Sequence, residues 1–242
     1  MAFQFAVPCT PERTLSDRAY LAQWRHSYGL AQPELISGTR CTHTCTTHGP
    51  DAAIDEERWR SGSHLLSSPW RLKRHNGVGR AALKSLYVER GYTWDERDIH
   101  CHVDSGKRVD ARCTNSTASH RDDAVDITVG CPACDSYVCD AAVTSADYVT
   151  DHLERGKKVK HGAACAAVGL NFVVAAFTTL GGWGTTVRTQ LHTLYAEKKK
   201  AEKKAGGSGW ETIRWKQDLL ERANIAIANA NFRLLDAHTR AY

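Results

Sequence analysis

Three aspartates in the middle of the chain, Asp123, Asp126 and Asp140, are the residues best suited to chemistry. They belong to two apolar stretches, residues 124–129 and 137–143, which predict paired strands around the loop GCPACDS. Acids at the ends of paired strands bring their oxygens close together, and hard oxygens suit Mg²⁺. We therefore predict a magnesium site that uses Asp140 together with Asp123 or Asp126.

Two lysines, Lys157 and Lys160, lie one turn apart on a predicted helix, residues 148–168, that follows these stretches. Together with His161 they fall on one face of the helix. A lysine beside a metal-bound phosphate can stabilise developing charge or orient the attacking water. The alternative interpretation is a solvated basic surface.

A polar segment, residues 39–63, is dense in Cys, His, Thr and Gly and has no helical or strand period. Thiolate and imidazole ligands at short spacing, closed by a distant histidine, are typical of a small zinc knuckle. The alternative is a loop that retains leftover ligands. The candidate zinc ligands are Cys41, His43, Cys45, His48 and His64.

Basic residues cluster where the next helix is predicted to begin, near residue 73. The backbone N–H groups of a helix start favour phosphate, so this cluster is the best candidate contact for nucleic acid. A helix cap beside exposed charge would give the same pattern. A second block, residues 197–204, is interpreted as a solvated helix end. The candidate contacts are Arg71, Lys73, Arg74, His75 and Asn76.

The elements that must position these residues alternate between helices and strands, which places the chain in the mixed α/β class. Residues 92–119 are irregular and polar. The predicted helices are residues 15–30, 73–90, 148–168, 185–204 and 210–235, and the predicted strands are residues 124–129, 137–143 and 170–177.

The whole-chain properties are those of an ordinary globular protein: 242 residues, 42% hydrophobic, 24% charged and a net charge of +5. No apolar stretch reaches the roughly 18 residues of a membrane span, and the first residues lack a secretory signal. We therefore expect an intracellular protein, nuclear or cytoplasmic, with no membrane partner.

Several motifs, in this order, resemble the region downstream of the polymerase in eukaryotic non-LTR-type retroelement reverse transcriptases. That region combines a Cys/His knuckle, an R-H-N helix start, a D-V-T-V strand, a K-x-x-K-H/Y helix and an E-T-L-G-G-W turn. The motifs here are CTHTC, GSHLLSS, RLKRHN, RDDAVDITV, YVCDAAVT, GKKVKHGAACAAVGLNFVVAAFTTLGGWG and IAIANANFRLL.

The resemblance implies a restriction-endonuclease-like, PD-(D/E)XK core over residues 71–242, preceded by a helix and the Cys/His-rich segment over residues 1–70. It implies Mg²⁺-dependent DNA cleavage, with Asp140 matching the D-V-T-V aspartate and Lys157 and Lys160 matching the K-x-x-K pair. Asp123 follows Arg121 at the family's spacing, which favours it slightly over Asp126.

The resemblance also implies partners: DNA or RNA, and a separate reverse transcriptase. Two departures bear on activity and on zinc: Thr178 replaces the glutamate of the turn, and Ser67 and Ser68 replace the last cysteine of the knuckle. The alternative function is therefore a catalytically inactive nucleic-acid-binding or scaffold remnant of the same family.

Overall fold

A computed structural model describes residues 17–27, 69–96, 109–114, 121–132, 137, 145 and 147–239. In this part of the chain the helices are α1 (Asp17–Ser27), α2 (Pro69–Val78), a π-helical segment (Gly79–Lys84), α3 (Ser85–Glu89), α4 (Tyr148–Ala167), α5 (Thr185–Lys204) and α6 (Trp210–Thr239). The strands are β1 (Thr93–Asp95), β2 (Ala111–Thr114), β3 (Asp123–Gly130) and β4 (Asn171–Thr178).

The four strands form one mixed sheet in the order β1-β2-β3-β4. β1 pairs with β2, and β2 with β3, in antiparallel orientation, whereas β3 and β4 are parallel. A parallel neighbour requires a crossover connection, which α4 supplies. The predicted mixed α/β class is confirmed at this level: a small mixed sheet flanked by helices.

Both faces of the sheet are covered, which explains why β3 and β4 consist almost entirely of buried residues. One face, with Val125, Ile127 and Phe177, packs into the main core together with residues of the π-helical segment, α3, α5 and α6. On the other face, Ala124 of β3 packs against Cys165 of α4. Consecutive residues of β3 therefore face different helices.

The long helices and β4 were predicted to within a few residues, whereas two strands were missed. Residues 92–119, predicted to be irregular, contain β1 and β2. Along Asp123–Val125, β3 pairs with β2 rather than with a following hairpin strand. Tyr137, the first residue of that predicted hairpin strand, has helical conformation, and residues 138–144 lie outside the described residues.

The predicted helix 73–90 is observed as α2, the π-helical segment and α3 in direct succession. Gly79 opens the π-helical segment and lies directly against β3: a Cβ atom there would overlap Cδ1 of Ile127. Its absence lets the helix approach the strand closely, and the π turn shifts the helical register at the same point. This contact brings α2 over the middle of β3.

The first helix joins the same packed body, because α1 lies against α6. Ala19 and Ala22 are buried, and the Arg18 guanidinium lies 5.7 Å from the ring centroid of Phe232. None of the described helices combines the length and apolar character needed to cross a membrane.

Candidate active site

Asp126 and Lys157 meet between the sheet and α4. Asp126 is 6% exposed and shares its face of β3 with Ala124, which packs against α4. The Nζ atom of Lys157 lies 2.8 Å from Oδ2 of Asp126. At this distance the pair is a charge-assisted contact, and no donor other than Lys157 reaches Oδ2 within the described part of the chain.

The environment of Asp126 makes its negative charge unfavourable. Burial raises the pKa of its carboxyl group, Lys157 offsets part of that rise, and the charge of Asp110 adds to it. A buried carboxylate whose ionised form depends on a cation is a frequent feature of functional sites. It would gain from any further cation that came within contact distance.

Asp110 brings a second carboxylate to the same region. The β2–β3 register, in which Ala111 lies opposite Val125, places Asp110 across from Asp126 at the point where β2 begins. The backbone N–H of Asp110 donates to the Val125 carbonyl at 2.9 Å, and its Oδ2 accepts the N–H of Ile127 at 2.6 Å. The side chain thus continues the hydrogen-bonding ladder, and this fixes the carboxylate at the edge of β3.

His75 of α2 orients Asp110 from the opposite side. Its Nε2 lies 3.0 Å from Oδ2 of Asp110 and 2.9 Å from the Ile127 carbonyl, and its Nδ1 lies 3.0 Å from Oδ1 of Asn76. Burial lowers the pKa of His75, but the hydrogen bond to Asp110 and its charge, helped by Asn76 and the carbonyl, outweigh burial and leave the pKa raised. His75 is therefore a hydrogen-bond donor to Asp110.

A cavity of about 380 Å³ opens beside this pair. Its wall includes Trp94, whose indole N–H donates to Glu96 at 3.1 Å, and Arg80, which pairs with Glu96 at 3.0 Å. Asp110 and His75 line this cavity, whereas Asp126 and Lys157 are not among its lining residues.

Asp123, the acid slightly favoured from the sequence, does not join Lys157. Tyr87 donates its hydroxyl to Oδ2 of Asp123 at 3.0 Å, and the Asn171 amide donates to Oδ1 at 2.7 Å. An odd spacing along a strand puts Asp123 and Asp126 on opposite faces of the sheet. The acid that faces Lys157 is therefore Asp126.

Of the other residues predicted from the sequence, Lys160 and His161 lie on α4. Lys160 is exposed, so Lys157 is the member of the lysine pair that reaches the sheet. His161 is buried against Phe172, with ring centroids 5.7 Å apart, and its charge affects Asp126. Asp140 lies outside the described residues, as do the predicted zinc ligands Cys41, His43, Cys45, His48 and His64.

The predicted nucleic-acid patch needs a correction at Arg74. This side chain is only 1% exposed, and its Nη1 donates to Oδ1 of Asn231 at 3.0 Å. Arg74 therefore holds α2 against α6 and is not available to a phosphate. His75 is turned toward Asp110, whereas Asn76 is exposed. The side chains of Arg71 and Lys73 lie outside the described residues.

Two polar residues near the candidate site have structural roles. Thr178 is buried at the end of β4, where its hydroxyl accepts the Gly182 N–H at 2.8 Å and closes the turn. Glu154 of α4 is also buried, and it accepts the N–H and hydroxyl of Thr186 at 3.1 and 2.6 Å. A carboxylate there satisfies unpaired N–H groups in the first turn of α5.

The donor set at Asp110 and Asp126 suits one class of metal. Among the described residues, no group of three or more His, Cys, Asp or Glu side chains could enclose a metal ion. Magnesium does not need such a cage, because it keeps several waters and is bound by one or two carboxylates together with substrate phosphates. The β2–β3 register places the two carboxylates, Asp110 and Asp126, opposite each other, and this donor chemistry fits Mg²⁺ bound in this manner.

Sequence reasoning missed Asp110, although a signal was present. Val109, Ala111 and Cys113 alternate with polar residues, which is the pattern of a short half-buried strand. For Asp126 the signal was the run Asp126-Ile127-Thr128-Val129, an acid that opens an apolar strand end.

The sequence has no match among protein-family models, and comparison with curated proteins finds no significant relative.

Proposed function

We propose that this chain is a metal-dependent DNA endonuclease domain of the kind associated with retroelement reverse transcriptases, with Asp110, Asp126 and Lys157 at its active centre. The observation that carries the proposal is the buried Asp126 carboxylate, paired at 2.8 Å with a lysine from the following helix. In metal-dependent hydrolysis of a phosphodiester, an acid on a strand can bind the metal ion and a lysine on α4 can stabilise the charge that develops on the phosphate.

The sequence also allows the D-V-T-V match to begin at Asp126, while the match at Asp140 stays a prediction. The run Asp126-Ile127-Thr128-Val129 agrees with D-V-T-V at three positions, whereas the run that begins at Asp140, D-A-A-V, agrees at two. Lys157 and Lys160 keep their place in K-x-x-K. A small mixed sheet flanked by helices is also the core that the resemblance implies.

Each residue has a defined role in this proposal. Asp126 and Asp110 would hold Mg²⁺, which supplies Lewis acidity toward the scissile phosphate and acidifies a bound water. Lys157 neutralises Asp126 in the free protein. Its side chain is 34% exposed, so once a cation takes over that neutralising role its ammonium group can turn to the phosphate oxygens. His75 keeps Asp110 oriented.

Nicking of supercoiled plasmid in the presence of Mg²⁺ tests the proposal. Asp126→Asn should reduce the rate at least about 100-fold, because it removes the central carboxylate. It should stay folded at neutral pH, since the raised pKa of Asp126 means that burial disfavours its ionised form. Wild-type cleavage rates for this variant would exclude Asp126 from the reaction.

Lys157→Gln should slow cleavage by roughly 100-fold with little change in DNA affinity, because its charge matters where the transition state gains negative charge. Lys160→Gln is the matched control on the same helix: Lys160 is exposed, so its loss should change the rate less than about threefold. A folded wild-type protein that binds DNA but never nicks it would establish the alternative, an inactive nucleic-acid-binding remnant.

A further inference from the structure

The second half of α5 and the first turns of α6 combine lysines with aromatic rings. The Nζ atoms of Lys199 and Lys216 lie 6.0 and 4.8 Å from the ring centroid of Tyr195, and Nζ of Lys198 lies 5.1 Å from that of Trp215. Residues 195–216 contain seven basic and three acidic side chains. We call Tyr195, Lys199 and Lys216 the lysine–tyrosine cluster.

Glu202, one of the acids of this stretch, is engaged away from the cluster. Glu202 turns toward α6, where it accepts the N–H groups of Gly209 and Thr212 at 2.8 and 3.0 Å. The hydrogen bonds from Thr212, followed by those from the other backbone N–H groups, lower the pKa of Glu202. The negative charge of Glu202 therefore stabilises the N-terminus of α6.

Lys198 differs from the two lysines at Tyr195, because it forms an ion pair with Glu89. Within the described part of the chain, neither Lys199 nor Lys216 lies within ion-pair distance of an acid. Two ammonium groups from different helices are thus gathered at one ring, and no described residue supplies a counter-ion to them. Such an arrangement attracts an external anion that presents closely spaced charges.

Nucleic acid fits the surface better than a bilayer does. The apolar residues of α5, Val187, Leu191 and Leu194, are buried in the core, so this helix has no apolar face to insert among lipids. Trp210, the first residue of α6, is 70% exposed and offers a ring on which a base can stack. Regularly spaced phosphates are the anion that two adjacent lysines can bind together.

We propose that the lysine–tyrosine cluster is a binding site for the phosphate backbone of nucleic acid, separate from the candidate active site. The proposal goes beyond the proposed function, because it holds for a chain that binds without cutting. Its test therefore uses EDTA, so that cleavage plays no part in the result.

The experiment measures the affinity of the full chain for a labelled DNA duplex at several salt concentrations. Lys199→Gln/Lys216→Gln should weaken binding about tenfold at about 0.1 M salt and reduce the log–log salt slope by about two, since each phosphate contact contributes about 0.9. Lys200→Gln/Lys204→Gln is the matched control. It removes the same charge from α5 residues that are rotated about 100° and about 140° around the helix from Lys199, and it should change the slope by less than about half as much.

If both double variants lost DNA affinity equally, the effect would come from general positive charge and the proposal would be overturned. An unchanged salt slope for Lys199→Gln/Lys216→Gln would overturn it as well. Lys199→Arg/Lys216→Arg keeps the charge and the ring contact and should bind as the wild type does; failure of this variant would also overturn it. Vesicles rich in phosphatidylserine are the remaining comparison. Binding to them without binding to the duplex would identify a lipid surface instead.

Discussion

Asp123 and Asp126 lie three residues apart in β3 and face opposite sides of the sheet. The Asp126 carboxylate is paired with Lys157, whereas Asp123 accepts hydrogen bonds from Tyr87 and Asn171. Gln190 of α5 donates in turn to the Tyr87 hydroxyl at 3.3 Å. Asp123 therefore joins β3 to α3, β4 and α5, which is a structural role.

Asp123→Asn should accordingly lower the free energy of unfolding by about 1–3 kcal/mol, because an amide replaces an oxygen that accepts a buried hydrogen bond. The nicking rate of the folded fraction should be unchanged. Asp122→Asn is the neighbouring control: Asp122 pairs with Arg112 at the surface, and its loss should cost less than about 1 kcal/mol. Urea denaturation of both variants measures the difference. A stable Asp123→Asn variant that has lost nicking would reassign Asp123 to catalysis.

His75 makes a pH-dependent contribution to stability. Its pKa is raised above 6.5 in the folded protein, so the folded state binds the proton more tightly than the unfolded state. The resulting stabilisation is complete below pH 6.5 and disappears as the pH rises through the folded-state value. His75→Gln should cost about 1.5–3 kcal/mol at pH 5.5 and clearly less at pH 9. Denaturation at the two pH values checks this, and an equal cost at both would show that folding does not raise the pKa of His75.

At the scale of elements, the contact between the π-helical segment and β3 sets the distance from α2 to the sheet. Gly79→Ala places a methyl group against Ile127, and overpacking of this kind costs about 1–3 kcal/mol. The double variant Gly79→Ala/Ile127→Val removes the atom that is struck and should recover most of that loss, as thermal unfolding would show.

Gly77→Ala is the control on the same helix, because a Cβ there would meet only Ala226 at an ordinary 3.7 Å. It should be neutral or stabilising by up to about 1 kcal/mol, since alanine is the better helix former. If Gly77→Ala and Gly79→Ala were equally harmful, the close approach to Ile127 would not be the cause.

Elements with a strong local signal were predictable from the sequence. The boundaries of α4, β4 and α5 follow from apolar periodicity and from the glycines between them. The three residues of β1 and the four of β2 carry too short a pattern to stand out in a polar stretch. Asp110 gains its importance only from the β2–β3 register, and Arg74 is buried only because a distant helix covers it. Such relations between remote segments leave no local pattern.

At the scale of the whole molecule, α6 holds the layers together. It packs against α1, α2, the π-helical segment and α5. Arg74 of α2 donates to Asn231 of α6, and the Asn231 amide donates to the Thr179 carbonyl at the end of β4. One polar chain thus joins two helices and the sheet.

Arg74→Ala should destabilise the protein by about 3 kcal/mol or more, because it leaves a space and unpaired polar groups in a buried interface. The exposed Arg80 is the control: Arg80→Ala loses a surface pair with Glu96 and should cost less than about 1 kcal/mol. Neither variant should alter the salt slope of DNA binding by a full unit. A slope that fell by a full unit only for Arg74→Ala would restore Arg74 as a phosphate contact.

The bond between Arg74 and Asn231 also bears on the order in which the protein folds. Its partners are 157 residues apart, and the closure of so long a loop carries an entropic cost before the contact forms. This contact is therefore expected to form late in folding. On the ribosome, α2 is synthesised long before α6 and must keep Arg74 hydrated until its partner emerges. His75 follows Arg74 in α2, so its final position over β3 depends on α6, the last helix that the structure describes.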